Sequence, residues 1–165
     1  MGYKQGRTPA PRRTMQKNLL TLDDTERLAA RVAARAMVGD FIGLSGPLGA
    51  GKTAFARAFL LAMASRQKAP PPAEVPSPTF TLVQTYELGA LEVAHFDLYR
   101  IGSPEEAGEL GLDEAQARGM VLVEWPERLG DHLPRDRLDI ALSVDASEQR
   151  RATLVTHGTW RTRAL

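Results

Sequence analysis

Apolar and polar positions change their period several times along this chain, and each change predicts an element. In "NLLTLDDTERLAARVAARAMVGD" a short strand-like piece leads to Asp23 or Asp24 as a helix cap. Leu28, Val32 and Ala36 then recur on one helical face, with Arg27, Arg31 and Arg35 opposite. "DFIGLSG" is a short apolar run entering a glycine turn, the pattern of a buried strand, and "KTAFARAFLLAMASR" reads as the helix after it. "KAPPPAEVPSP" holds five prolines and reads as a loop. "TFTLVQTYEL" and "LEVAHFDLYR" are β-rich on either side of Gly89-Ala90, which predicts a hairpin.

Further along, "SPEEAGEL" places Ser103 as N-cap, Pro104 at the first helical position and Glu106 as capping-box partner. "DEAQAR" predicts a second short helix ending at Gly119, and "MVLVE" a five-residue buried strand. "RLDIALSV" and "RATLVTHG" predict two more strands that close the sheet antiparallel. Helices and strands alternate early and strands dominate late. This predicts a three-layer α/β domain with a mixed, mainly parallel sheet closed by antiparallel strands. No repeat or internal boundary is visible, so residues 18–165 read as one domain.

Composition narrows the chemistry. The 165 residues are 43% hydrophobic and 25% charged, as in an ordinary globular domain. There is no cysteine, which excludes disulfides, thiolate metal sites and thiol nucleophiles and fits a cytoplasmic protein. A net charge of +1 gives no global field for nucleic acid or membrane, and no apolar run reaches the ~20 residues of a membrane span. Residues 1–17 carry Lys4, Arg7, Arg12, Arg13 and Lys17 without an acid or an apolar stretch, and read as a disordered basic tail.

"GPLGAGKT", Gly46 to Thr53, matches G-x-x-x-x-G-K-[ST] between a predicted strand and a predicted helix. Glycines let the backbone wrap a phosphate, so the N–H groups from about Leu48 through Gly49, Ala50, Gly51, Lys52 and Thr53 to Ala54 point inward, and the helix dipole adds positive potential. Lys52 is expected on the β- and γ-phosphates and Thr53 on Mg²⁺. Guanine would require an Asn/Thr-Lys-x-Asp strand end. The single asparagine, Asn18, precedes the loop, and none of the four lysines stands before x-Asp, which favours ATP. Pro47 removes one donor at the mouth of the loop.

A P-loop enzyme needs a carboxylate at a strand end to hold the Mg²⁺ shell, and "MVLVEWPE" supplies Glu124. "VPSPTF" is stiffened by Pro76 and Pro78 and can present the hydroxyls of Ser77 and Thr79. In "HFDLYR", strand alternation puts His95, Asp97 and Tyr99 on one face and Phe96, Leu98 and Arg100 on the other. His95 and Asp97 have no third ligand with recognisable spacing, so a dedicated transition-metal site is disfavoured. If this strand lies beside the P-loop strand, Asp97 reaches the Mg²⁺ or the attacking water. Trp125 reads as either core or a neighbour of the nucleotide.

Taken in order and spacing, "GPLGAGKT", "SPTFTLVQTY", "HFDLYR" and "LVEWPERL" resemble the bacterial P-loop ATPases of tRNA threonylcarbamoyladenosine biosynthesis, from about Leu19 to the final strand. The resemblance implies a P-loop NTPase fold that hydrolyses ATP and supports turnover of a two-subunit threonylcarbamoyltransferase, meeting tRNA through that complex. It implies phosphate binding by Leu48 to Thr53 and Mg²⁺ binding by Thr53 and Glu124. Asp97 would stand near the γ-phosphate, with Ser77 to Phe80 as a mobile switch and the stretch around Thr21 against adenine. An arginine of the last strand, Arg150 or Arg151, would approach the nucleotide, with Arg151 the expected contact. The competing readings are a small-molecule P-loop kinase, which would need an arginine-rich lid where "GLDEAQARG" offers only Arg118, and a nucleotide-gated binding module without turnover. With no arginine finger and no switch glutamine in sight, hydrolysis is expected to be slow for the chain alone.

Overall fold

The computed structural model describes residues 11–165. Strand β1 (Thr14–Leu19) leads to helix α1 (Leu22–Ala33), then β2 (Phe41–Ser45) and α2 (Lys52–Arg66). The hairpin β3 (Val83–Leu88) and β4 (Leu91–Asp97) follows, then α3 (Pro104–Glu109), α4 (Leu112–Arg118) and β5 (Met120–Glu124). A 3₁₀ segment, Pro126–His132, connects to β6 (Leu138–Val144) and β7 (Arg150–Thr156). All seven strands form one sheet in the order β1-β7-β6-β2-β5-β4-β3.

Four central strands, β6, β2, β5 and β4, run parallel. The antiparallel strands are β3 at one edge and β7 and β1 at the other. The expected mixed sheet is therefore present, with one change. β6 joins the parallel core beside β2, and only β7 of the last two strands turns antiparallel. The reason is the crossover through Pro126–His132, which carries the chain from β5 past β2 and returns it in the same direction.

Side-chain alternation sorts the core into two layers. Ile42, Leu44, Leu122, Ile140 and Leu154 face α1 and α2, where they meet Val32, Phe55, Phe59 and Met63. Phe41, Phe96, Val121 and Val123 point the other way, against α3, α4 and Leu129. The parallel strands are apolar on both faces because both faces are covered.

Four local expectations shift. The tail boundary falls short of residue 17, because Thr14–Lys17 are already in β1 and pair with Ala152–Val155; residues 1–10 lie outside the described residues. The cap of α1 is Thr21, whose Oγ1 accepts from the Asp24 N–H at 3.2 Å while the Asp24 carboxylate accepts from the Thr21 N–H at 3.0 Å. Asp24 is thus the capping-box partner and not the cap. At α3, Ser103 and Pro104 hold their predicted places, but Ser103 makes no side-chain cap, and Glu106 accepts instead from the Gly102 N–H at 3.4 Å. β3 also starts later than its sequence suggests. Leu82 takes φ 67° and its N–H returns to the Pro78 carbonyl at 2.7 Å, which closes Pro78–Leu82 into a turn.

Candidate functional site

The register of the parallel core gathers the predicted chemistry at one edge. Leu44 of β2 pairs with Glu124 of β5, and Glu124 pairs with Asp97 of β4. The C-terminal ends of three adjacent parallel strands therefore carry the glycine loop, Glu124 and Asp97 side by side, where open α/β sheets place their ligand crevice. The expected neighbourhood of Asp97 is corrected here: β5 lies between β4 and the P-loop strand, and Asp97 reaches the loop across one intervening strand.

The loop itself needs its glycines. At Gly46 (φ 138°) an added Cβ would run into the Leu142 carbonyl oxygen. Gly51 (φ 105°) is the N-cap of α2 and has no side chain to occupy the first N–H groups of the helix. Those donors therefore stay open to an anion, with the helix dipole behind them.

Lys52 is 5% exposed, and its Nζ donates to the Gly46 and Pro47 carbonyls at 2.7 and 2.9 Å. It also lies 4.5 Å from the Trp125 ring centroid. Burial pushes its pKa below the ordinary 10.5, while the charges of Glu124, Asp97 and Glu127 pull the other way. A buried cation held by carbonyl dipoles and facing carboxylates is prepared to receive further negative charge.

Two buried carboxylates face it. Glu124 Oε1 accepts from the Thr53 hydroxyl at 3.0 Å and stands 2.8 Å from His95 Nε2. Asp97 Oδ2 accepts from Thr79 Oγ1 at 2.9 Å and from Ser77 Oγ at 3.5 Å, and its Oδ1 accepts from the Tyr99 N–H at 2.9 Å. Asp97 thereby ties the proline-stiffened segment to the end of β4. Beyond it the rim is apolar: Phe80 is 80% exposed with the Arg100 guanidinium 4.4 Å from its ring centroid, and Leu48 is 71% exposed.

A cavity of about 280 Å³ opens here, lined among others by Leu48, Gly49, Lys52, Thr53, Thr79, Asp97, Glu124 and Trp125. A second, of about 240 Å³, lies on the other flank of the loop and shares Gly51 and Ala54 with it. Its walls are mostly apolar (Leu19, Leu20, Leu22, Ala50, Leu142), with Thr21, Thr25 and Arg150 as polar elements. The P-loop thus separates an acid-lined chamber from one walled mainly by aliphatic side chains and without a carboxylate.

Arg151 does not join either cavity. Its Nε donates to Asn18 Oδ1 at 3.4 Å, whereas Arg150 reaches the apolar chamber. The physical reason is strand alternation: Arg150 shares its face with Ala152 and Leu154, the face covered by α1 and α2, and Arg151 points away. That parity was available in the sequence and selects Arg150. Trp125 was open between core and site; φ 60° at this residue turns the chain sharply after β5 and brings the indole over Lys52 and against Tyr99, at a ring separation of 4.9 Å.

Among the described residues no group of three or more His, Cys, Asp or Glu side chains could hold a metal by itself. Thr53, Glu124 and Asp97 present only oxygens, which suits a hard ion that keeps waters and substrate phosphates as its remaining ligands, as Mg²⁺ does.

A mixed sheet with a parallel core, a glycine loop between β2 and α2, its lysine, and an acid at the next strand end define an α/β protein of the P-loop NTPase type. Comparison with known proteins narrows this class. The family described as threonylcarbamoyl adenosine biosynthesis protein TsaE matches residues 19–152. The tRNA threonylcarbamoyladenosine biosynthesis protein TsaE of Bacillus subtilis is 36% identical over 137 residues, 82% of each chain. That of Rickettsia felis is 34% identical over 135 residues, 82% of this chain and 76% of the relative. The crystal structure of Bacillus subtilis YdiB superposes with a TM-score of 0.72 at 31% identity, covering 90% of this chain and 88% of that one. The chain belongs to the TsaE family of tRNA threonylcarbamoyladenosine biosynthesis. Among the described residues no helix is long and apolar enough to cross a membrane.

Proposed function

We propose that this protein binds Mg²⁺-ATP at the P-loop, hydrolyses it to ADP and phosphate, and uses that cycle to support turnover of a two-subunit threonylcarbamoyltransferase in the cytoplasm. tRNA is met through that complex. The observation that carries the reading is the convergence of Lys52, Thr53, Glu124 and Asp97 on one cavity at the open N-terminus of α2.

Each residue then has a defined task. The N–H groups of the loop and the start of α2 hold phosphate oxygens, and Lys52 exchanges its carbonyl partners for the β- and γ-phosphates. Thr53 directs its proton to Glu124, which leaves a hydroxyl lone pair toward the cavity, and Thr53 and Glu124 are the residues that would hold the ion. Bound Mg²⁺ supplies neutralisation of the phosphate charge. Asp97, fixed by Thr79 and the Tyr99 N–H, orients the water that attacks the terminal phosphorus. The apolar chamber receives adenine between Leu19, Thr21 and Ala54, with Arg150 at its edge.

The kinase reading loses its lid. Arg118 pairs with Glu92 at 3.1 Å, at the end of β5 opposite to Glu124. The deciding experiment is ATP hydrolysis with and without the transferase pair. Slow hydrolysis alone and a marked rise with the pair are expected. Fast turnover without a partner, or phosphoryl transfer to an added metabolite, would contradict this function.

A further inference from the structure

His95 is the one polar side chain on the core-facing side of β4 that no step above employs. It is wholly buried, yet half of its hydrogen-bonding capacity is unused: Nδ1 has no partner, while Nε2 stands 2.8 Å from Glu124 Oε1. A buried polar atom without a partner costs free energy, so the ring is retained at some expense. A Nε2–H tautomer leaves only an acceptor lone pair unpaired and donates to the carboxylate. The Nδ1–H tautomer would bury an unpaired donor and set two lone pairs against each other at 2.8 Å.

Glu124 Oε1 thus receives two donors, His95 Nε2 from within the core and Thr53 Oγ1 from the first turn of α2. With Oε1 pinned from both sides, the carboxylate cannot rotate, and Oε2 is the oxygen left for the cavity. The His95 ring is in turn locked into β4, whose neighbours Ala94 and Phe96 are buried in the opposite layer and whose Cα pairs with Leu122. The distance between β4 and β5 is set by the sheet, so the position of the imidazole is set with it.

We infer that His95 is a positioning residue that fixes the tautomer-matched hydrogen bond to Glu124 Oε1, thereby aiming Oε2 of Glu124 at the divalent ion of bound nucleotide. This rests on the Mg²⁺-nucleotide reading above. The inferred role predicts that His95 governs how strongly Mg²⁺ and nucleotide binding reinforce each other, and leaves metal-free nucleotide binding alone. Outer partners of metal-holding residues typically change metal affinity by about 10- to 100-fold.

The test measures affinity for β,γ-imido-ATP by calorimetry on the full chain, in EDTA and across a Mg²⁺ titration. His95→Phe keeps a ring and removes the donor, and His95→Gln returns an amide N–H at a similar reach. Expected is a Mg²⁺ requirement raised about 10-fold or more in His95→Phe, unchanged affinity in EDTA, and recovery in His95→Gln. Unshifted Mg²⁺ dependence in His95→Phe overturns the role of His95 and leaves the magnesium site intact. Equal loss in both variants, or loss already in EDTA, marks a packing role and also overturns it. A wild-type affinity indifferent to Mg²⁺ removes the metal reading and this inference together. Should His95→Phe fail to fold, ¹⁵N NMR of the wild-type imidazole decides: a proton on Nε2 whose signal moves when Mg²⁺ joins bound nucleotide supports the role. A proton on Nδ1 with none on Nε2, or a signal indifferent to Mg²⁺, ends it.

Discussion

The two chambers flanking the P-loop are built in opposite ways. The acid-lined chamber draws on short contiguous stretches: the loop with the first turn of α2, Ser77 to Thr79, Asp97, and Glu124 with Trp125. Its charged groups Lys52, Asp97 and Glu124 are buried, and each is held in place by hydrogen bonds, Lys52 to loop carbonyls and the two acids to neighbouring side chains. The apolar chamber is assembled from Leu19–Thr25, Ala50–Ala54, Leu142 and Arg150, brought together by the antiparallel extension β6-β7-β1. It is held by packing, and among its polar side chains Thr21 is committed to its helix cap. A site of the first kind is sensitive to single atoms; one of the second kind tolerates change.

That contrast gives an order of effects. Lys52→Ala should strike hardest, weakening nucleotide binding about 30- to 150-fold, the equivalent of the roughly 2–3 kcal/mol of a charged hydrogen bond, as read by calorimetry. Asp97→Asn comes next and separates binding from chemistry: affinity stays near wild type while ATP hydrolysis in the presence of the transferase pair falls about 10-fold or more. Equal rates would remove the water-positioning role from Asp97 and leave it only the tether to Ser77 and Thr79.

On the apolar side the effects should be smaller. Arg150→Ala should weaken nucleotide binding about 3- to 5-fold, in keeping with an exposed charged contact, and Arg151→Ala should leave it unchanged. The reverse result would restore Arg151 as the contact despite its facing Asn18.

The smallest effect expected is on the pH dependence of stability. Burial lowers the Lys52 pKa below 10.5, so between the lowered value and 10.5 the unfolded chain binds more protons than the folded one. The contribution of Lys52 to stability must therefore rise with pH across that window, and it is flat below it. Lys52→Met should abolish this rise in denaturant titrations. Added nucleotide should reverse it in the wild type, because phosphate charge raises the lysine pKa and binding then weakens as the proton is lost.

Much of this was legible without coordinates, and for a physical reason. The β2 strand, the glycine loop, α2 and β5 are contiguous stretches whose pattern is set by local rules: apolar runs for doubly covered strands, glycine for positive φ, an uncapped helix start for an anion. The identities of Lys52, Thr53, Asp97 and Glu124 as candidate groups follow from such stretches. Tertiary structure alone decided what stands next to what. It placed β5 between β2 and β4, carried β6 into the parallel core and drew Thr14–Lys17 into the sheet. It also joined His95 and Thr53 on one oxygen of Glu124. Strand order and register depend on how two helical layers cover the whole sheet, and that sum over distant contacts leaves no signature within any one segment of the chain.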